Sequence, residues 1–445
     1  MLLALLACTS PPDSGSDPTD PADDSGLPAL DPTDTFPSFY GEVPKNLLVV
    51  SIDTFRRDLM ARYGGEGLAP FLDGMAEQGV TLDQHRSCAN WTFPSVLCFN
   101  HGTGNIDAGY VPDLSDPDNA WAPEDLPTLA TRLSDGGWRT MLVTSNSWFS
   151  MDRNTDVGFE TSERPDDRRT ESVFGMGLDR LGETVELGSD RWYLHLHIKE
   201  PHPSYNPPEA YLAGLEGLPP VDYDLTDSDE QYDAGDAWPA MSEEERAILL
   251  QHLLVRYHGE VQWMSDQLIQ GFLELEQGGY LDDTLVVFWT DHGEQFWEHG
   301  EQTHAYGLNV EENDAVAFFW AKNIVPGQWD GATSHIDLAP TILSLLGVPS
   351  DAAITGYPAG EAPEDRVLDA VSIARHGAMQ SVVKDGWKLV YRWQTGERWL
   401  YDTTDDPAEL TDLYDPAHPR AVELEAALAP RIEALVPLTT RYTPG

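Results

Sequence analysis

Two apolar runs, far apart in the chain, each end abruptly on a carboxylate. Residues 47–52 are Leu-Leu-Val-Val-Ser-Ile and precede Asp53, and residues 284–290 are Thr-Leu-Val-Val-Phe-Trp-Thr and precede Asp291. Runs of this length and composition predict fully buried strands. The carboxyl ends of parallel strands share one edge, where such sheets bind ligands. We therefore expect Asp53, Asp291 and the adjacent His292 to meet at one metal site.

The pattern between these runs predicts an α/β fold with a doubly wound, mostly parallel sheet flanked by helices. We expect residues 145–190 to be loops over the carboxyl edge of the sheet, and residues 214–240 to form an acidic loop. The remaining predicted strands are at 80–87, 140–144, 192–198 and 315–321. The predicted helices are at 69–78, at 126–134, at 243–277 with a break near Gly259, and after Thr341 as far as Leu346.

The end of the chain has a different pattern. Residues 380–401 predict two or three short strands, with Asp385-Gly386 as a hairpin turn. Residues 419–435 predict an amphipathic helix. This part predicts a small antiparallel sheet with one helix. We place a catalytic domain at 43–350 and a C-terminal subdomain at 351–445.

The segment Asn90-Trp91-Thr92-Phe93-Pro94 predicts the start of a helix, with Thr92 as N-cap and Pro94 in the first turn. A hydroxyl at a helix N-terminus lies beside unpaired N–H groups that favour negative charge. Thr92 is therefore a candidate nucleophile, although this segment alone is equally consistent with a simple cap.

Several histidines lie in or after the strands that end at the carboxyl edge of the predicted sheet. His195 and His197 alternate along the strand at 192–198, so we expect them on one face, in the core or behind the site rather than as ligands. His202 follows the end of that strand, beside Lys199, and His304 follows the second metal-type segment. An imidazole is suited to proton transfer near neutral pH.

The chain is strongly acidic, with 76 Asp and Glu against 26 Lys and Arg and a formal net charge of -50. This charge excludes nucleic acid and an anionic membrane surface as partners. Of the three cysteines, Cys88 and Cys98 bracket Thr92. They are either a disulfide of an oxidising compartment or two buried thiols.

The first residues predict an export signal. Leu5-Leu6-Ala7-Cys8 resembles the bacterial lipobox, although residues 1–8 lack the usual basic start. Residues 9–42 are rich in Ser, Pro, Asp and Thr and predict a disordered acidic tether. We expect an extracytoplasmic bacterial protein that meets a membrane only through a lipid on Cys8.

Six motifs in order resemble the sulfatase family of the alkaline phosphatase superfamily, from about Asn46 to Leu435. They are Ser51-Ile52-Asp53-Thr54-Phe55-Arg56-Arg57-Asp58, Thr92-Phe93-Pro94-Ser95, Pro201-His202-Pro203-Ser204-Tyr205, Thr290-Asp291-His292-Gly293-Glu294, His335-Ile336-Asp337-Leu338-Ala339-Pro340-Thr341, and the stretch 400–410.

The resemblance implies an alkaline-phosphatase-like fold and a hydrolase of sulfate or phosphate esters. It implies one divalent ion, Ca, Mn, Mg or Zn, on Asp53, Thr92, Asp291 and His292. Thr92 takes the position of the nucleophile. Arg56 and Lys199 are implied to bind the substrate anion, and His202 and His304 to be catalytic.

Two departures from the family pattern matter. The nucleophile position holds Thr92 instead of the Cys or Ser that becomes formylglycine, and Val96 replaces an Arg. Formylglycine is therefore not expected. Thr54 stands where many members have a further metal-binding Asp. A phosphoryl head-group transferase and an inactive surface-binding protein stay open as alternatives. The expected substrate is a sulfated or phosphorylated small molecule, glycan or lipid head group.

Overall fold

A large sheet forms the centre of the protein. The computed structural model describes residues 35–114 and 121–439. The strands of this part are β1 (Asn46–Ile52), β2 (Val80–Arg86), β3 (Arg139–Thr144), β4 (Thr161–Glu163), β5 (Trp192–Ile198), β6 (Thr284–Thr290), β7 (Gln295–Phe296), β8 (Gln302–Thr303), β9 (Ala317–Trp320) and β10 (Gly327–Ser334).

Nine α-helices accompany the strands within the described residues. They are α1 (Pro70–Glu77), α2 (Thr92–His101), α3 (Leu129–Asp135), α4 (Thr170–Glu186), α5 (Ser228–Ala237), α6 (Glu243–Gln277), α7 (Val310–Asn313), α8 (Leu338–Leu345) and α9 (Pro419–Leu435).

Eight strands form the large sheet in the order β10-β2-β9-β6-β1-β5-β3-β4. Every neighbouring pair is parallel except the two that contain β9, which runs antiparallel to β2 and β6. The central strands β1, β5 and β6 are buried along their whole length. The mostly parallel sheet predicted from the apolar runs is confirmed.

Helices cover both faces of this sheet, because successive residues of a strand point to opposite sides. Leu48 and Val50 of β1 pack with residues of α1, α4 and α6. Leu47 and Val49 pack on the other side with residues of α2, α3 and α8. The sheet is therefore doubly covered, and its carboxyl edge is the side on which polar residues can gather.

Three predictions about the long connections were wrong. Residues 145–190 contain the 17-residue helix α4, and residues 214–240 contain α5. Helix α6 continues through Gly259 without a break. A Cβ at Gly259 would lie 2.9 Å from Pro207 Cγ and from the carbonyl oxygen of Tyr211. This glycine therefore allows close packing inside a helix and does not end it.

A second, antiparallel sheet follows the large one. Its strands, in order, are β11 (Leu368–Ala374), β12 (Gly377–Lys384), β13 (Trp387–Arg392) and β14 (Arg398–Asp402). Asp385 and Gly386 connect β12 to β13 with positive φ angles of 50° and 74°, as predicted for a hairpin turn. Helix α9 packs against this sheet. The small C-terminal antiparallel sheet with one helix is thus confirmed.

The second sheet is joined to the first through the backbone. The N–H of Val371 donates to the carbonyl of Cys88 at 3.0 Å, and the N–H of Leu114 donates to the carbonyl of Ile373 at 3.0 Å. Strand β11 therefore lies against the segment that leads to Thr92.

The domain begins earlier than residue 43, where we expected the tether to end. Phe39 is fully buried and forms a backbone bridge with Ile324. Residues of the predicted tether before Thr35, and Cys8 with its predicted signal, lie outside the described residues. Within residues 35–114 and 121–439, no helix has the length and hydrophobicity needed to cross a bilayer.

Candidate active site

Three neighbouring strands bring polar side chains to one point of the carboxyl edge. Strand β1 lies between β5 and β6, and the register pairs Ile52 with both Ile198 and Thr290. Asp53 and Asp291 each follow the last residue of such a strand, so they stand side by side. The meeting of two distant strand ends predicted from the sequence is found in the structure.

Four side chains converge there and are fully buried: Asp53, His197, Asp291 and His292. Nε2 of His292 lies 3.6 Å from Oδ1 of Asp53 and 3.5 Å from Oδ2 of Asp291. Nε2 of His197 lies 3.8 Å from Oδ2 of Asp53. Ligand atoms of Asp53, His197 and Asp291 all lie within 4.8 Å of one another.

Several atoms of this cluster lack hydrogen-bond partners among the described residues. They are Oδ1 of Asp53, Oδ2 of Asp291, and Nε2 of both His197 and His292. A buried polar atom without a partner costs roughly 1–3 kcal/mol. A divalent cation would satisfy all four at once, and carboxylate oxygens with imidazole nitrogens are ligands of Mn²⁺ and Zn²⁺. The residues present therefore fit a metal ion.

His197 is the member of the cluster that sequence reasoning did not assign as a ligand. It was expected in the core or behind the site, and it is indeed buried, but its Nε2 faces Asp53. Its other ring nitrogen, Nδ1, lies 2.7 Å from Oγ of Ser51. The register pairs Ser51 with His197 one residue before the strands end. That register cannot be seen in the sequence.

A line of hydrogen bonds leads from the sheet interior to His197. Oγ of Ser51 also lies 2.9 Å from Nε2 of His195, and Nδ1 of His195 lies 3.0 Å from the hydroxyl of Tyr193. Burial lowers the pKa of His195 well below its ordinary value, which keeps this ring neutral. If Nδ1 of His197 donates to Ser51, Nε2 presents its lone pair toward the two carboxylates.

The two carboxylates have opposite protonation tendencies without a cation. Burial acts to raise the pKa of Asp53, but His202, His197 and His292 outweigh it and lower that pKa. Burial, followed by the charge of Asp53, raises the pKa of Asp291 well above its ordinary value. When two buried carboxylates are adjacent, the state in which they share one proton is favoured over the state in which both are ionised. A bound cation would take the place of that proton.

Thr92 lies at the beginning of α2, next to this cluster. Trp91, not Thr92, is the N-cap, so the predicted cap position was wrong by one residue and Thr92 opens the first turn. Nδ2 of Asn146 donates to Oδ2 of Asp53 at 2.6 Å and to Oγ1 of Thr92 at 3.3 Å. The amide of Asn146 thus holds the hydroxyl beside the candidate metal ligand.

Asn146 was not found from the sequence, although its position carries a signal. It follows β3 by two residues, and β3 is the parallel neighbour of β5. It therefore lies at the same carboxyl edge as Asp53. The polar composition of residues 145–190 predicts irregular loops and hides this signal.

A disulfide braces the segment that carries Thr92. Cys88 and Cys98 are bonded, one on each side of the first turn of α2. Nδ2 of Asn105 donates to the carbonyl of Pro94 at 3.2 Å and contacts Sγ of Cys98 at 3.3 Å. Of the two states left open by the sequence, the structure has the disulfide.

His202 and His304 lie next to each other, beside His292 of the cluster. The ring of His304 lies 4.6 Å from that of His292 and 5.0 Å from that of His202, between centroids. Burial lowers the pKa of His202 to about 3 and that of His304 well below its ordinary value. Nδ1 of His304 lies 3.1 Å from Oε1 of Glu294, whose pKa burial raises to about 8.

The two cations proposed to bind the substrate anion differ in their surroundings. The guanidinium of Arg56 pairs with both Asp58 and Glu298, and the side chain is 12% exposed. Two carboxylates already neutralise this charge, so the structure does not support Arg56 as an anion-binding group. Lys199 follows β5 and is half-buried, and none of the described carboxylates forms an ion pair with it.

This chain is similar to known proteins in sequence and in fold. The family model described as Sulfatase matches residues 45–348, more than half of the chain. An arylsulfatase of Clostridium perfringens is 23% identical over 283 residues, which cover 60% of this chain and 56% of the relative. The chain matches 35–56% of the length of the first three curated relatives.

Two solved structures share the fold. A protein solved in complex with its substrate D-glucosamine-2-N,6-O-disulfate has a TM-score of 0.71 and 17% identity, covering 88% of this chain and 98% of its own. Phosphonate monoester hydrolase from Silicibacter pomeroyi has a TM-score of 0.67 and 18% identity, covering 89% of this chain and 96% of its own. At these identities the likeness concerns the fold.

Proposed function

The chain belongs to the sulfatase family, and from this premise we propose that it is a metal-dependent hydrolase of sulfate or phosphate esters with Thr92 as its nucleophile. The observation that carries the proposal is the set of unpartnered buried atoms on Asp53, Asp291, His292 and His197, beside the hydroxyl at the start of α2. A purely structural cluster would leave these atoms unsatisfied at a high cost.

The cation would be held by Asp53, Asp291 and His292, with His197 beside them and Thr92 in reach. When bound, it neutralises the ester oxygens and lowers the pKa of a hydroxyl that contacts it. We propose that the ion is Ca, Mn, Mg or Zn. Its identification requires elemental analysis of the purified protein.

The residues of the chain then have separate tasks. Oγ1 of Thr92 attacks sulfur or phosphorus in line and forms a covalent ester as the bond to the leaving oxygen breaks. One of the neutral imidazoles, His202 or His304, takes the hydroxyl proton, and the pair returns a proton to the leaving oxygen. Lys199 is the cation available to the substrate anion. In a second step water hydrolyses the covalent ester, which frees sulfate or phosphate and restores the hydroxyl of Thr92.

The test uses the full chain loaded in turn with Ca²⁺, Mn²⁺, Mg²⁺ and Zn²⁺. Aryl sulfate, aryl phosphate monoester and aryl phosphodiester are offered to the wild type and to Thr92→Ala. Turnover that requires metal and is lost in Thr92→Ala supports the proposal. Full activity in chelator, or activity that survives in Thr92→Ala, contradicts it. No turnover despite bound metal would favour the transferase or the inactive binding protein.

The location of the protein is a further part of the proposal. We propose an extracytoplasmic protein anchored by a lipid on Cys8, and the Cys88–Cys98 disulfide supports an oxidising compartment. Mass spectrometry of the N-terminal peptide from the native host tests this. A diacylated Cys8 supports the anchor, and an unmodified residue at this position contradicts it.

A further inference from the structure

A hairpin of the second sheet reaches the wall of the candidate active site. Arg375 and His376 connect β11 to β12, whose ends pair at Ala374 and Gly377. Ala374 packs in one cluster with Trp91 and Phe93, the neighbours of Thr92. The N–H of Arg375 donates to the carbonyl of Ala305 at 3.1 Å, directly after His304. The C-terminal subdomain thus contributes residues beside His304, one of the two histidines proposed for proton transfer.

The guanidinium of Arg375 is clamped between two aromatic rings. Its Cζ lies 4.8 Å from the ring centroid of Tyr232, on α5, and 5.1 Å from that of Tyr306, after β8. The side chain is nevertheless exposed to solvent. Cation–π contacts engage the planar group, while N–H donors at its edges can still reach a ligand.

Two of the nearby carboxylates, Glu301 and Glu294, have other partners. Oε1 of Glu301 lies 2.6 Å from Nε2 of His376, the neighbour of Arg375 in the hairpin. Glu294 contacts His304. In residues 35–114 and 121–439, no carboxylate forms an ion pair with Arg375. A guanidinium without an ion-pair partner in these residues can attract an anion, against the net charge of -50 of the chain.

We propose that Arg375 binds a second oxyanion, a carboxylate or a sulfate, carried by the leaving group of the substrate. The inference rests on the proposed hydrolase function and narrows its substrate class to esters of anionic alcohols. A guanidinium offers two parallel N–H donors to such a group. Tyr232 and Tyr306 hold it in place, so little side-chain freedom is lost when the ligand binds.

The test compares aryl esters that differ only in the charge of the leaving group. The phenols carry 3-carboxylate, 3-sulfonate or the neutral 3-carboxamide, and the ester is the one that the wild type hydrolyses. We expect kcat/KM to favour a charged phenol about tenfold, mainly through KM, as for a charge-assisted hydrogen-bonded pair. The carboxylate and sulfonate arms show which anion is preferred.

Arg375→Gln should remove this preference and leave kcat/KM for the carboxamide within about twofold, since that leaving group has no anion to lose. The matched control is Arg398→Gln. Arg398 also stacks on a tyrosine, 4.6 Å from the ring of Tyr391, but pairs with Glu425. It should keep the full preference. Thermal melting of each variant shows that it folds.

Three results would overturn the inference: no preference in the wild type, a preference that survives in Arg375→Gln, or an equal loss on charged and neutral phenols. The last would show that Arg375 binds the transferred group. If no ester is hydrolysed, the proposed function is contradicted, but the inference about Arg375 is still testable by binding. Equilibrium binding of 3-hydroxybenzoate and 3-hydroxybenzamide by NMR then decides the inference, because only tighter benzoate binding that is lost in Arg375→Gln supports it.

Discussion

The hydroxyl of Ser51 lies 2.7 Å from Nδ1 of His197, whose other ring nitrogen faces Asp53. Partners of this kind fix the tautomer and orientation of a metal-binding imidazole, and their loss costs about 10–100-fold in metal affinity. We therefore expect Ser51→Ala to weaken binding of the preferred divalent ion by about that factor. Isothermal titration calorimetry on the full chain measures it without an enzymatic assay.

The control for this prediction is Ser381→Ala. Ser381 is also a buried strand serine, and its hydroxyl has no partner among the described residues. Its removal should leave metal affinity unchanged, and His197→Ala should weaken it more than Ser51→Ala does. Unchanged affinity in both Ser51→Ala and His197→Ala would show that His197 takes no part in the metal site.

Thr92 allows a sharper test of the nucleophile than removal of its side chain. Thr92→Val keeps the branched shape but lacks the hydroxyl, so it should lose about 10³-fold or more in kcat, as other nucleophile variants do. Thr92→Ser keeps the hydroxyl and should retain measurable turnover. Quenched reactions of the wild type should yield a Thr92 peptide with a phosphoryl or sulfuryl adduct.

Metal content and melting temperature of the Thr92→Val protein serve as its controls. At saturating metal both should match the wild type, because Asp53, Asp291 and His292 still hold the ion. Turnover by Thr92→Val at the wild-type rate would assign the nucleophile to another group.

The Cys88–Cys98 disulfide closes a short loop around the start of α2, with a sequence separation of 10. Constraint of the unfolded chain by a loop of about this size contributes roughly 2–3 kcal/mol. The double variant Cys88→Ala/Cys98→Ala should lower the free energy of unfolding by about that amount in urea titrations.

Reductant provides the control for the disulfide. Dithiothreitol should destabilise the wild type and have no effect on the double variant. Without reductant, the denatured wild type should titrate no thiols from Cys88 and Cys98. Two reactive thiols from these residues would contradict the bond.

The buried side chain of Glu260 should make the free energy of unfolding depend on pH. It is 5% exposed, its Oε1 accepts the N–H of Asn206, and burial raises its pKa to about 8. Between the ordinary pKa near 4.5 and the raised value, the folded state holds a proton that the unfolded state has lost. The stabilisation from this proton is present below the lower value and is lost as pH rises toward the upper one.

Glu260→Gln should therefore gain stability relative to the wild type as pH rises from 5 to 9, by about 2–4 kcal/mol. Urea unfolding across that range measures the difference. Glu274→Gln, an exposed position on the same helix α6, should follow the wild-type curve. Parallel curves for Glu260→Gln and the wild type would contradict the raised pKa.

Sequence alone predicted the elements whose pattern is set by burial. Strands β1, β5 and β6 are continuous apolar runs, and their bounds were predicted to within a residue. Strand β10 was missed because its sequence, Gly-Gln-Trp-Asp-Gly-Ala-Thr-Ser, is mostly polar. It lies at the sheet edge and is held by backbone pairing with β2, which leaves no apolar signal.

Helix α4 was missed for a related reason. It contains Gly175, Gly177 and Gly182, which lower intrinsic helix propensity. A Cβ at Gly177 would lie 2.7 Å from Cδ2 of Leu196 in β5. Close packing against the sheet requires this residue and stabilises the helix, and such tertiary contacts are not visible in a local pattern.

The residues of the candidate site also fall into two groups, those predicted from the sequence and those seen only in the structure. Asp53, Asp291 and His292 were predicted because each follows a recognisable strand. His197 depends on strand register and Arg375 on a hairpin of the second sheet, which are relationships between distant parts of the chain. Asn146 also follows a predicted strand, but the polar residues after that strand do not indicate which side chain faces Asp53.

The backbone hydrogen bonds between β11 and the first sheet form late during synthesis of the chain. The ribosome makes the chain from its N-terminus, so Thr92 and every candidate metal ligand emerge before residues 368–377 are synthesised. The bond from Val371 to Cys88 and that from Arg375 to Ala305 form only afterwards. A nascent chain therefore holds its reactive groups before the contacts of β11 and Arg375 with residues 88 and 305 can form, and these contacts follow only after residues 368–377 are made.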